Sequence, residues 1–239
     1  MLTQANHWLE FVGTAVDAIL LGRVLLLKLY RSYVFITLGC VLAVFFDAVA
    51  LWLQPDSKSS ANVFIYSRLL YSFLFPLIAW DVFEEMGAQI AKLRRLAIVR
   101  LISGLLFACL FGVMVSLFVD TNDPNGDSAV VPTLGLLLWA GSSTATLAFL
   151  WTLHRQTRAQ KIELPNNTYV WLLFWQLSLL AEVLTCVWFL VASLVKNHAV
   201  EAGISLLFLL YGIAITAWCV LKLRAIASSV PSAPANAGA

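Results

Sequence analysis

From Thr168 to Val195 the chain reads TYVWLLFWQLSLLAEVLTCVWFLVASLV, an apolar run with a single ionisable residue, Glu182, near its middle. A bilayer core about 30 Å thick is crossed by about 20 apolar residues in a helix rising about 1.5 Å per residue, so this run is long enough to span one. Hydrocarbon offers the backbone no hydrogen-bond partner, which leaves the helix as the form available to such a segment. A carboxyl about 20 Å along that helix reaches neither surface and must face protein, water or a proton. Glu182 is therefore the leading candidate for a functional group.

The same test applied along the chain predicts seven spans, over Trp8–Leu27, Val34–Leu53, Val63–Phe83, Leu96–Val119, Pro132–Leu153, Thr168–Val195 and Val200–Leu221. They consume most of the 239 residues, and 61% hydrophobic against 12% charged residues is far from the balance of a soluble domain. The expected fold class is thus all-α, a polytopic membrane protein with one seven-helix domain over residues 1–224. The segment 225–239, AIASSVPSAPANAGA, is small, polar and proline-bearing and is expected to be a disordered tail. The first span is the least hydrophobic, holding Asp17 and Arg23, and no basic n-region precedes it, so it is expected to be a permanent helix and not a cleaved signal. Pro76 inside the third span is expected to kink it.

Basic residues fix the expected orientation, since Lys and Arg accumulate in cytoplasmic loops. Lys28 and Arg31 follow the first span; Lys92, Arg94, Arg95 and Arg100 follow the third. Arg155, Arg158 and Lys161 follow the fifth, and Lys222 and Arg224 the seventh, while the other loops offer only Lys58 and Lys196. This predicts the N-terminus outside and the C-terminus in the cytoplasm of a cell membrane, namely a bacterial inner membrane. Trp8 and Trp52 fall at expected outer ends and Trp80, Trp151, Trp171 and Trp218 at inner ends, as interfacial anchors would, with Trp139, Trp175 and Trp188 as apolar bulk. The formal charge of +2 points to anionic lipid headgroups at the inner face and implies no nucleic-acid partner.

Four charged residues lie deep in the spans. Asp47 and Arg68 sit at matching depths in the second and third, where an ion pair between them is the cheapest arrangement. Asp17 lies near the midplane like Glu182, and Ser178, Thr185 and Cys186 share the face of Glu182, so a polar intramembrane site of Asp17, Glu182, Ser178 and Thr185 is expected. Asp81, Glu84 and Glu85 are expected to form a solvated inner rim with Lys92, Arg94 and Arg95. In the fourth span Gly104, Ala108, Gly112 and Ser116 recur every four residues, a ridge that lets a neighbouring backbone come close; Ala140, Thr144 and Ala148 repeat it in the fifth, beside Gly141 and Ala145. This ridge could serve packing within one bundle or across a homo-oligomer or membrane complex.

Enzyme and cofactor signatures fail on chemistry. His7, His154 and His198 lie at span ends, where they cannot ligate haem or zinc between helices. Cys40, Cys109, Cys186 and Cys219 fall in different spans without a CxxC pair, so neither a metal nor a disulfide framework is expected. FEEMGAQ resembles the Glu-Glu motif of membrane prenyl-protein endopeptidases, but Gln89 stands where they carry Arg. Gly141-Ser142-Ser143 lacks the closing Gly of a rhomboid-type motif. DTNDPNGD departs from a calcium loop, with Pro132 where a bidentate Glu belongs. The seventh span has no lysine before Lys222, which excludes a retinal Schiff base.

LYRSYVF opening the second span, DVFEE ending the third and the following KLRRL resemble a broad family of uncharacterised bacterial seven-helix membrane proteins, with Val34 where many have Pro. The resemblance implies a fold and no activity. The chain is therefore expected to be a non-catalytic membrane protein, either a small-ligand sensor-like module or an accessory subunit of a membrane complex. The alternative is a proton- or cation-coupled small-solute transporter using Asp17 and Glu182.

Overall fold

A computed structural model describes residues 2–53, 58–86, 99, 102–104, 106, 130–195 and 198–225. Among them lie six α-helices and one short 3-10 turn: α1 (Leu2–Leu26), the turn (Leu29–Arg31), α2 (Val34–Trp52), α3 (Lys58–Met86), α4 (Val130–Ala159), α5 (Asn166–Val195) and α6 (His198–Lys222). Each matches a predicted span, α1 and α2 stopping one residue short of its end, and the others overshoot because polar residues at the ends stay helical. Five segments are long and apolar enough to cross a membrane: Val34–Trp52, Asn62–Met86, Gly135–Ala159, Asn166–Trp188 and Ala202–Lys222. The chain is a multi-pass helical membrane protein. Helix α1, with Glu10, Asp17 and Arg23, is not among the five. Most of the predicted fourth span, with Ala108, Gly112 and Ser116, lies outside the described residues, as do Lys92, Arg94, Arg95, Asn125 and the tail beyond Ala225.

The helices form a closed ring. Each packs on the next from α1 through α6, α6 packs back on α1, and α3 also touches α5 across the middle. Two lysines in the left-handed region, Lys28 (φ 56°) and Lys161 (φ 52°), end α1 and α4 and turn the chain back.

The two ends of the ring differ. The end carrying Lys28, Arg31, Arg155, Arg158, Lys222 and Arg224 is plugged by the core: Leu29, Tyr33, Ile36, Phe83, Met86, Leu150, Trp171 and Leu223 are buried there. Helix termini at this basic end are capped by side chains of other helices, which supplies partners for backbone groups the helix cannot pair. The Phe35 and Ile36 N–H groups, in the first turn of α2, donate to Asp81 Oδ2 at 2.6 and 3.0 Å. Arg23 Nη2 donates to the Leu223 carbonyl at 2.8 Å just past α6, where Asn167 also bonds the backbone N–H and carbonyl of Arg224. The Tyr33 hydroxyl meets Thr168 Oγ1 at 3.0 Å, and burial pushes its phenol up to about 12.

These contacts correct two expectations. Asp81 is buried as the cap of α2 and does not belong to a solvated rim, whereas Glu84 and Glu85 are exposed. Trp171 is wholly buried, so it is core and not an interfacial anchor, while Trp8, Trp52 and Trp151 are exposed.

Pro76 shows how the fold absorbs a helix breaker. It sits inside α3 and has no N–H to donate to the Ser72 carbonyl one turn back. That carbonyl instead accepts a hydrogen bond of 2.5 Å from Ser142 Oγ on α4. Gly104 makes the other close approach to α4, since a Cβ there would stand 3.1 Å from the Ala145 Cβ. The fourth and fifth predicted spans therefore touch at small residues in this chain.

Candidate functional site

Away from the basic plug, the ring encloses a polar cavity. Three adjoining compartments of about 270, 420 and 260 Å³ share Arg68, Glu182 and Thr216, and the first two also share Asp17 and Asp47. Leu20, Gly39, Cys40, Phe75 and Trp175 line the first compartment toward the core. The second runs along α1 from Asp17 through Gly13 to the exposed Glu10, toward the end opposite the basic plug. The third lies between α5 and α6 and takes in Ser178, Thr185 and Tyr211.

Arg68 is the electrostatic centre. Its Nη1 donates to both oxygens of Glu182, at 2.9 and 3.0 Å, forming an ion pair between α3 and α5. Its guanidinium lies 4.5 Å from the Trp139 ring centroid and 5.0 Å from that of Phe64, so aromatic faces hold it as well. Both members of the pair are 24% exposed although they sit in mid-helix, because they face the cavity.

The expected Asp47–Arg68 pair is not the one formed. Arg68 bonds Glu182, while Asp47 lines the same two compartments beside Asp17 and Thr216. Asp47 and Arg68 do line the same cavity. Depth does not fix the direction in which a side chain points around the helix, and α3 faces α5 as well as α2. Around the Arg68–Glu182 pair the cavity also holds Asp17, Asp47 and Glu10, so its lining is acidic on balance.

The structure brings Asp17, Glu182, Ser178 and Thr185 to this cavity, although Thr185 spends its hydroxyl proton on the Ala181 carbonyl of its own helix, at 2.8 Å. Three contributors were not singled out from sequence: Thr216, Trp139 and the aromatic wall. In that wall Tyr71 stacks on Phe75 at 5.7 Å, Phe75 meets Trp175 edge-on at 6.3 Å, and Phe46 closes on Tyr71 at 6.3 Å. A lone Thr or an aromatic in an apolar span gives no signal by itself. The one trace was the aromatic density of the spans. Among the described residues no cluster of His, Cys, Asp and Glu has the geometry to hold a metal ion.

The site and fold define a multi-pass helical membrane protein with a charged cavity inside its helix ring. No family model, curated protein or solved structure matches the chain.

Proposed function

We propose that the protein is a non-catalytic seven-span protein of a bacterial inner membrane, with its N-terminus outside, that takes a small organic cation into its central cavity as a ligand sensor or as the binding subunit of a membrane complex. The observation that carries this reading is the pairing inside the cavity. Glu182 takes both hydrogen bonds of Arg68 Nη1, which leaves Asp17 and Asp47 as acidic groups in a compartment that Phe46, Tyr71 and Phe75 also line. A carboxylate with aromatic faces is the surrounding that an ammonium group prefers over a hydrated anion.

Binding is favoured over conduction because the cavity runs toward one end only, and the other end is filled by core side chains. The helices that line it are also continuous, whereas transporter sites are typically built on interrupted ones. The second reading, a proton- or cation-coupled transporter using Asp17 and Glu182, draws on the acidic groups Asp17, Asp47 and Glu182 lining one intramembrane cavity, groups a transport cycle could load and release.

The test is thermal unfolding of the protein in nanodiscs with choline, tetramethylammonium and small primary amines, beside Asp17→Asn and Asp47→Asn. One of these cations should raise the midpoint of the wild type and not of the variants. Equal shifts in all three proteins, or no shift with any cation, would rule the reading out. Proton or cation flux in liposomes above that of empty vesicles would favour the transporter. Reporters fused after Ala239 and inserted after Asn125 should report cytoplasm and exterior respectively, and finding both on one side would remove the odd span count.

A further inference from the structure

A second concave feature lies on the outer surface of the ring and has no part in the cavity. It is a groove of about 750 Å³ between α4 and α5. Its walls are Leu147, Ala148 and Trp151 from α4 and Leu173, Leu177 and Leu180 from α5. Most of the polar groups behind these walls are occupied, and His154 Nε2, which has no partner among the described residues, is buried. His154 Nδ1 pairs with Gln176 Oε1 at 2.9 Å, and Gln176 Nε2 donates to the Leu150 carbonyl at 2.9 Å. The groove proper is therefore a surface for hydrocarbon.

Its ends are unlike. At one end stand Thr144 and Leu180, in mid-helix. At the other Arg155 and Arg158, three residues apart and so on one face of α4, reach the basic end of the ring. Both arginines are exposed, and neither has an ion-pair partner among the described residues. From Thr144 to Arg155 the helix rises about 16 Å, close to the depth of one leaflet, about 15 Å of a hydrocarbon core about 30 Å thick. Trp151, 58% exposed, lies one turn before Arg155, at the level where an amphipathic ring meets the headgroups.

We propose that this groove is a binding site for one anionic phospholipid of the leaflet at the basic end. An acyl chain lies along Leu147, Leu177 and Leu180, and the phosphate sits between the guanidinium groups of Arg155 and Arg158. Charge complementarity selects the occupant: two unpaired guanidinium groups at the mouth of an apolar groove match a phosphate at the head of an acyl chain, and arginine grips phosphate with two parallel donors. A zwitterionic lipid would bring a cationic group to the same place and gain less.

The experiment is native mass spectrometry of the full chain purified in neutral detergent, titrated with phosphatidylglycerol or with phosphatidylcholine. The wild type should retain one phosphatidylglycerol in preference to phosphatidylcholine, and R155Q/R158Q should lose that preference by about tenfold or more. Leu177→Trp, which fills the chain path and leaves both arginines, should weaken phosphatidylglycerol as well. Phosphatidylglycerol with brominated acyl chains should quench wild-type fluorescence more than that of Trp151→Phe. Equal retention of the two lipids, unchanged preference in R155Q/R158Q, or equal displacement by glycerol phosphate lacking acyl chains would each overturn the proposal. So would a stoichiometric protein partner that shields a cysteine placed at Thr152 and excludes lipid. The midpoint of unfolding without added lipid should be the same for R155Q/R158Q and wild type, which separates lost binding from lost folding.

Discussion

Replacing Glu182 by Leu removes the carboxylate that Arg68 bonds and leaves a guanidinium that cannot shed its charge. Breaking a fully buried pair in this way costs about 3–5 kcal/mol, whereas an exposed pair is worth about 0.2–1 kcal/mol. Both side chains are 24% exposed toward the cavity, and Asp47 lines the same space, so water and a second carboxyl offset part of the loss. The expected cost lies between those limits, at about 2 kcal/mol. Arg68→Met strands Glu182 instead, which can take up a proton, but it also gives up the contacts with Trp139 and Phe64 at 4.5 and 5.0 Å. Its cost is expected at about 1–2 kcal/mol. In the double variant neither charge remains, so its loss should fall short of the sum by about 1 kcal/mol or more. Thermal unfolding of the four proteins in detergent closes this cycle. Additive losses within about 0.5 kcal/mol would refute the coupling. A second cycle between Arg68→Met and Asp47→Asn should give a smaller interaction; a larger one would restore Asp47 as the partner of Arg68.

Asp81→Ala should destabilise the protein by about 1–2 kcal/mol because the Phe35 and Ile36 N–H groups lose their acceptor, while Glu84→Gln, at an exposed position, should leave the midpoint unchanged. Similar shifts for both would count against the cap. Ser142→Ala should cost about 1 kcal/mol by orphaning the Ser72 carbonyl, and the loss should shrink in a Pro76→Ala background, where the restored N–H serves that carbonyl. The same loss in both backgrounds, read from circular-dichroism melting, would contradict that account of Pro76. Gly104→Ala should cost about 1 kcal/mol, since its methyl arrives 3.1 Å from the Ala145 Cβ, and adding Ala145→Gly should recover most of it. No recovery in the double variant would show that the strain lies elsewhere.

The apolar runs alone determined that this chain is helical and membrane-embedded, because hydrocarbon leaves the backbone one way to pair its hydrogen bonds and a run's length can be read directly. They also located Glu182, Asp17, Asp47 and Arg68 at depths where a charge must find a partner. The partner itself was beyond the sequence. Depth along the helices pairs Arg68 with Asp47 and puts Glu182 nearer the midplane, and only the packing of α3 on α5 as well as α2 brings the guanidinium to Glu182. Asp81 reads in sequence as one acid in a charged helix end, and its burial as the cap of α2 follows from a neighbour distant along the chain. The kink expected from Pro76 addressed the missing N–H, whereas the compensating Ser142 hydroxyl arrives from another helix. Thr216 and Trp139 carry no local pattern at all. Periodicity and hydropathy describe each helix against its solvent, while a site inside a ring depends on how several helices are turned about their own axes, which tertiary packing alone sets.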